Sequence, residues 1–337
     1  MVTSREKVKR IFERKNTSEK AFWTGHPNHL TVPLFAEEWK IEPSNEAIYA
    51  YLGDDCRHFA ADGAYRHPEG LPLFDVSHNI HKSATLASAG CFAETETIAE
   101  IERHPWPDPK YCDFSGIYDQ IEKYPDKMVF TGVWSAFFHV AADYFGMENY
   151  FIKMYENPKI VEAVTEKIVD YYVAANEKFF GGLGDRADIM FFANDFGTQR
   201  DLFISPRNFE RFIFPSLKRL TAIGKKYNKK IMMHSCGSVY RIIPYLIEAG
   251  IDGLHPIQAQ AAGMSALDLA QYKNDLAFVG GIDAQSFLCD ATPRQVEDEV
   301  CRVRDILGPN IVISPSHEEI LPNVPAANIL AMSKAAH

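Results

Sequence analysis

The sequence is poor in the features that mark several protein classes. Its six cysteines, Cys56, Cys91, Cys112, Cys236, Cys289 and Cys301, are scattered through 337 residues. That is too sparse for a disulfide framework and fits reduced thiols in a cytoplasmic compartment. No stretch approaches the ~18 uninterrupted apolar residues of a membrane span. The first residues, with Arg5, Glu6, Lys7, Lys9 and Arg10 among them, are charged and amphipathic and lack the apolar centre of a signal peptide. Positive charge is in deficit. A net charge of -10 repels phosphate backbones, so nucleic acid is not expected as a partner. No Gly-x-Gly-x-x-Gly turn follows an early strand, so a dinucleotide-binding fold lacks its fingerprint. Internal repeats and low-complexity tracts are also missing.

What is present is the composition of a soluble protein with a full core, 46% hydrophobic and 24% charged. Short apolar runs alternate with longer helical periodicity. Strands are expected at 21–24, 57–60, 127–131, 189–192, 230–234, 250–254, 276–279 and 310–313. Helices are expected at 4–15, 44–52, 158–179, 206–227, 239–249, 265–271 and 293–307, most of them opening near Pro, Ser or Thr. Continuous apolar strands between helices predict a parallel sheet covered on both faces. Eight such strands predict an α/β fold of the (β/α)8 TIM-barrel type, a single domain over 1–337. An open doubly wound sheet would show the same alternation. Residues 66–110 lack periodicity and read as an excursion over one barrel rim.

Barrel chemistry sits at the C-terminal ends of the strands. The expected strands are followed there by His26, by Asp62, by Trp134 and His139, and by Asn194 and Asp195. Next come His234-Ser235-Cys236-Gly237, then His255 and Gln258, then Asp283, and last Ser316-His317-Glu318-Glu319. The sharpest signal is His234-Ser235-Cys236. Residues i and i+2 of an extended segment point to one side, so an imidazole nitrogen and a thiolate can converge on one ion. That mixture suits zinc. His317 is the first candidate for a third ligand, and Asp195, His255, Glu318 and Cys289 follow it. Taken alone, a His-x-Cys pair equally describes two buried, hydrogen-bonded residues without a metal. Asp62, Asp195 and Asp283 are candidates for acid–base or substrate-binding work, with helix capping as the plainer account of each. His26 and His29 flank a Pro-Asn turn and read as surface residues. The aromatic stretch Trp134 to Phe138 reads as barrel core and rim, or as the wall of an apolar pocket for a large ring cofactor.

The segment Met233-His234-Ser235-Cys236-Gly237-Ser238 resembles the uroporphyrinogen-decarboxylase (URO-D) superfamily. So do Ile204-Ser205-Pro206, Phe278-Val279-Gly280-Gly281-Ile282-Asp283 and Pro322-Asn323-Val324-Pro325-Ala326-Ala327-Asn328-Ile329. The resemblance runs from about residue 120 to the end and is looser before that. It implies a (β/α)8 barrel and one of two chemistries. One is metal-free decarboxylation of the acetate arms of uroporphyrinogen, a porphyrin-pathway carboxy-lyase reaction. The other is zinc-dependent methyl transfer from a methylated corrinoid (methylcobamide) to a thiol such as coenzyme M.

True decarboxylases of this superfamily carry an arginine-rich stretch near the amino end. The equivalent region here, Phe22-Trp23-Thr24-Gly25-His26-Pro27-Asn28-His29, has no arginine. An eight-carboxylate substrate needs guanidinium partners. Asp62 and His317 fall where that branch has a catalytic aspartate and a late histidine, and His139 stands near the place of its tyrosine. The resemblance to the methyltransferases centres on His234 and Cys236. Their third ligand is a cysteine after the last strand, where this sequence has Ser316-His317. The resemblance therefore implies a zinc methyltransferase with His234, Cys236 and His317 on the ion and Asp195 or Glu318 behind it. A small thiol is the implied substrate, and the corrinoid is carried by a partner protein. A decarboxylase using Asp62 and His317 and a non-catalytic corrinoid- or metal-binding partner are the alternative readings.

Overall fold

The computed structural model describes residues 2–15, 18–74, 89–317 and 319–337. Eight parallel strands form the sheet: β1 (Ala21–Phe22), β2 (Cys56–Ala60), β3 (Met128–Gly132), β4 (Ile189–Ala193), β5 (Lys230–His234), β6 (Gly253–Ile257), β7 (Ala277–Ile282) and β8 (Ile311–Pro315). Neighbours in the chain are neighbours in the sheet from β2 through β8, and β1 pairs with β8. This is the (β/α)8 barrel that the alternation predicts.

Between β1 and β2 the barrel is closed by side chains as well as backbone. The Asp55 amide donates to the Phe22 carbonyl at 3.0 Å. The Asp55 carboxylate accepts the Phe22 amide at 3.0 Å, and the Asp54 carboxylate accepts the Thr24 amide at 2.7 Å. Both aspartates are almost fully buried. Burial pushes Asp54 up to about 6. Asp55 is buried as well, which pushes it upward, yet His337, Lys7 and Ser4 together hold it down at about 2.

The bottom of the barrel is plugged by the helix Ser4–Phe12. Its start is fixed by a reciprocal capping box between Thr3 and Glu6. Val8, Ile11 and Phe12 fall on one helical face and are fully buried. They join inward-facing Trp23, Phe130, Phe191 and Met232 in a core inside the barrel. The outward-facing strand residues meet the surrounding helices in a second, larger core. Gly253 makes room for the plug, since a Cβ there would lie 2.4 Å from the Phe12 ring.

The strand expected at 250–254 begins at Gly253 and runs to Ile257. Gly250, at φ +95°, is instead the left-handed cap of the helix Ile243–Ala249, and the Ile251 amide donates back to Leu246. His255 therefore lies within a strand, pointing into the barrel, and not in the turn after it. Helices that periodicity did not reveal include Phe137–Phe145 and Ala326–Ala336. The first buries six of its nine residues, and His139 and Asp143 alone make too short a polar stripe to mark a helical period. The rim excursion contains a helix at Ile98–Arg103 and packs Phe92 on Tyr144 and Trp106. Its residues 75–88 lie outside the described residues.

Candidate metal centre

The C-terminal ends of β4 and β5 bring three donors together. The ligand atoms of Asp195, His234 and Cys236 all lie within 4.8 Å of one another. His234 Nε2 is 3.4 Å from Cys236 Sγ and 3.3 Å from Asp195 Oδ1. The same Asp195 oxygen accepts the Cys236 amide at 2.8 Å. Burial pushes the Asp195 carboxyl up, but its bond to His234 and the Cys236 amide outweigh that and hold it at about 2. Imidazole, thiolate and carboxylate are a donor set that zinc accepts, and three protein ligands leave a fourth position open.

Two glycines set this spacing. Asp195 leads into Gly197, and Cys236 into Gly237, and the two turns press backbone against backbone. Gly237 has φ +81°, and a Cβ on it would lie 2.3 Å from the Gly197 carbonyl oxygen. A Cβ on Gly197 would lie 2.7 Å from the Ser238 nitrogen. The Ser238 amide donates to Thr198 at 2.7 Å across the same junction. Gln258, the residue after β6, accepts the Gly237 amide at 2.7 Å and steadies the turn. Gly237→Ala is expected to lower the unfolding free energy by about 1–3 kcal/mol through strain at this junction, measured by urea titration against wild type.

The imidazole of His234 is held from behind. Its Nδ1 lies 3.1 Å from Nδ1 of His255, and the two rings stand 5.1 Å apart. If Nε2 faces an ion, Nδ1 carries the proton and donates to His255. A histidine ligand oriented through its second nitrogen is the usual arrangement at metal sites. The Nε2 of His255 is buried with no hydrogen-bond partner among the described residues.

The other expected residues take different places. His317, the first candidate for a third ligand, is not in this group. Its Nδ1 accepts the Glu319 amide at 3.1 Å, in a turn that enters the short ladder of Glu319–Ile320 with His26–Pro27. Asp195 stands beside His234 and Cys236 in its stead. Glu318 lies outside the described residues. Cys289 is grouped with Ala284, Gln285 and Asn323. Asp283 accepts from the amides of Gln285, Ser286 and Phe287 and braces its loop. Asp62 accepts the Trp134 amide at 3.0 and 3.2 Å, and burial pushes it up to about 6. His139 is lowered by burial, with Asp195 and Asp143 acting upward on it and His234 downward.

Sequence reasoning missed a second histidine pair. His26 Nε2 is 3.0 Å from His58 Nδ1 at the mouth of the barrel. The period-2 alternation of β2 turns Cys56, His58 and Ala60 to the inside, but nothing local sets His26 against His58. His26 and His58 line a cavity of about 200 Å³ with Trp23, Ala60, Trp134 and Phe191. Trp134 and Phe191 also contact His234, at ring separations of 5.5 and 6.5 Å, so the cavity adjoins the donor group. A larger cavity of about 570 Å³ lies at the opposite end of the barrel, against Phe12, Met128 and Ile189.

The fold and the mouth cluster thus define a (β/α)8 barrel with a candidate metal centre at the C-terminal ends of its strands. The chain belongs to the uroporphyrinogen decarboxylase (URO-D) family, whose model matches residues 93–337. It is similar to the methylated-thiol--coenzyme M methyltransferase of Methanosarcina mazei, at 26% identity over 204 residues. That match takes in 57% of this chain and 51% of the relative, so the chain spans about half the length of the curated protein. A solved structure described as a methyltransferase from Methanosarcina mazei superposes with a TM-score of 0.71 at 16% identity. It covers 100% of this chain and 98% of its own, which shows the fold.

Proposed function

We propose that this protein is a zinc-dependent methyltransferase that moves a methyl group from a methylated corrinoid to a thiol. The observation that carries this reading is the Asp195–His234–Cys236 group at the barrel mouth, in a chain of this family. These three residues would hold the ion. The chemistry zinc supplies when bound is a lowered pKa for a coordinated thiol.

The chain's own residues do the positioning. Asp195 fixes the Cys236 amide, and His255 fixes the His234 ring. Trp134 and Phe191 pack against the His234 ring and form part of the wall of the neighbouring cavity. In the reaction the S–CH3 bond forms as the Co–CH3 bond breaks. Both electrons of the broken bond stay on cobalt, and the thiol proton leaves to solvent. The methylated corrinoid arrives on a partner protein docked over the mouth. The similarity to a methylated-thiol--coenzyme M methyltransferase supports this class of reaction.

A carboxy-lyase reading would centre on Asp62. Its carboxylate is engaged by the Trp134 amide, and the amino-terminal loop offers no arginine for a poly-carboxylate. Purified protein supplied with zinc, methylcobalamin and a small thiol is expected to consume methylcobalamin, seen as the visible spectrum of the reduced corrinoid. Removal of zinc by a chelator should abolish the change. Carbon dioxide release from uroporphyrinogen without any methyl transfer would overturn the proposal.

A further inference from the structure

The cavity beside the metal centre has chemistry of its own. Its lining of Trp23, His26, His58, Ala60, Trp134 and Phe191 includes no lysine or arginine among the described residues. Trp134, itself half-buried, supplies the exposed aromatic face, and Trp23 and Phe191 lie behind it almost fully buried. Trp23 packs edge-on against both His26 and His58, and His58 packs against Phe191 and Trp134 at 5.0 and 5.6 Å. The two histidines pair with each other at 3.0 Å, which leaves the Nε2 of His58 buried without a hydrogen-bond partner among the described residues.

From this geometry we infer that the cavity binds the organic part of the thiol substrate and its methylated product, and that this part is small, uncharged and mostly apolar. The inference rests on the methyltransferase reading for the word thiol, and on the cavity alone for size and charge. Size follows from volume. A buried apolar cavity of about 150 Å³ takes a benzene molecule. The cavity here, about 200 Å³, takes on the order of six to eight non-hydrogen atoms. Charge follows from the lining. A sulfonate or carboxylate placed against this lining would lose its hydration with no lysine or arginine to replace it. Burial, with His26 and His234 acting in the same direction, holds His58 down at about 3, so it offers no positive charge near neutral pH.

Calorimetric titration of the zinc-supplemented protein tests this without turnover. The probes are two methyl thioethers of similar length, butyl methyl sulfide and 2-(methylthio)ethanesulfonate. The neutral probe is expected to bind at least about tenfold more tightly, a difference of about 1.4 kcal/mol. Ala60, exposed at the open end of β2, accepts a long side chain without disturbing the core. Ala60→Lys is expected to narrow or reverse the preference by bringing an ammonium to the rim. A wild-type preference for the sulfonate, or no binding of either probe, would overturn the inference. Binding of the neutral thioether by a protein that transfers no methyl group from methylcobalamin would leave the cavity assignment standing and remove the methyltransferase reading.

Discussion

Asp195→Asn is expected to lower zinc affinity by about 100-fold or more, while His317→Ala leaves it within a few-fold of wild type. The asparagine keeps an oxygen for the Cys236 amide, so the two turns stay in place and the lost charge is the main change. What remains is one imidazole and one thiolate, below the three protein ligands of a catalytic zinc site. His317 is turned into the Glu319 hydrogen bond and is not among the donors gathered within 4.8 Å of one another. Zinc competition with a chromophoric chelator measures both variants on one scale. Loss of zinc in His317→Ala with retention in Asp195→Asn would restore the assignment that the sequence alone favoured.

Asp55→Ala is expected to cost about 3–5 kcal/mol of stability at neutral pH, the range for breaking a buried ion pair by removing one partner. The carboxylate accepts from Ser4 at 2.6 Å and from the Phe22 amide at 3.0 Å, and pairs with Lys7 at 2.7 Å. Losing it frees the plug helix and opens the β1–β2 seam together. The pH dependence has a definite sign. The folded-state pKa of Asp55, about 2, lies below its ordinary value of 3.8. Its contribution is therefore present above the ordinary value and is lost as pH falls toward 2. Asp54, raised to about 6, acts in reverse. Its contribution is present below its ordinary value and is lost as pH rises through 6. Urea unfolding of wild type and Asp55→Ala from about pH 5 to about pH 3 should show the gap between them closing. A constant gap would mean that Asp55 acts through packing alone.

Most of the barrel was legible because its strands are buried on both faces and its helices are amphipathic. The helices 158–183 and 293–307 and the strands at 189, 230 and 277 stand within a few residues of expectation. The error at β6 came from reading Gly250-Ile251 as strand. Those residues form a helix cap with an apolar contact, which has the same local composition. At the site, His234 and Cys236 were visible because they sit on one extended segment. Asp195 was one of several possible partners. Its selection depends on the Gly197–Gly237 approach, a contact between loops 40 residues apart in sequence. No local pattern encodes it. The pairing of His26 with His58 is hidden in the same way, since β1 and β2 meet only at the seam.

The most direct measurement is the metal content of the purified protein by elemental analysis, wild type beside His234→Ala. The account predicts about one zinc per chain in wild type and a loss of most of it in the variant, with both proteins folded by circular dichroism. A folded wild type that takes up no zinc when it is offered, or a variant that keeps a full equivalent, would contradict it.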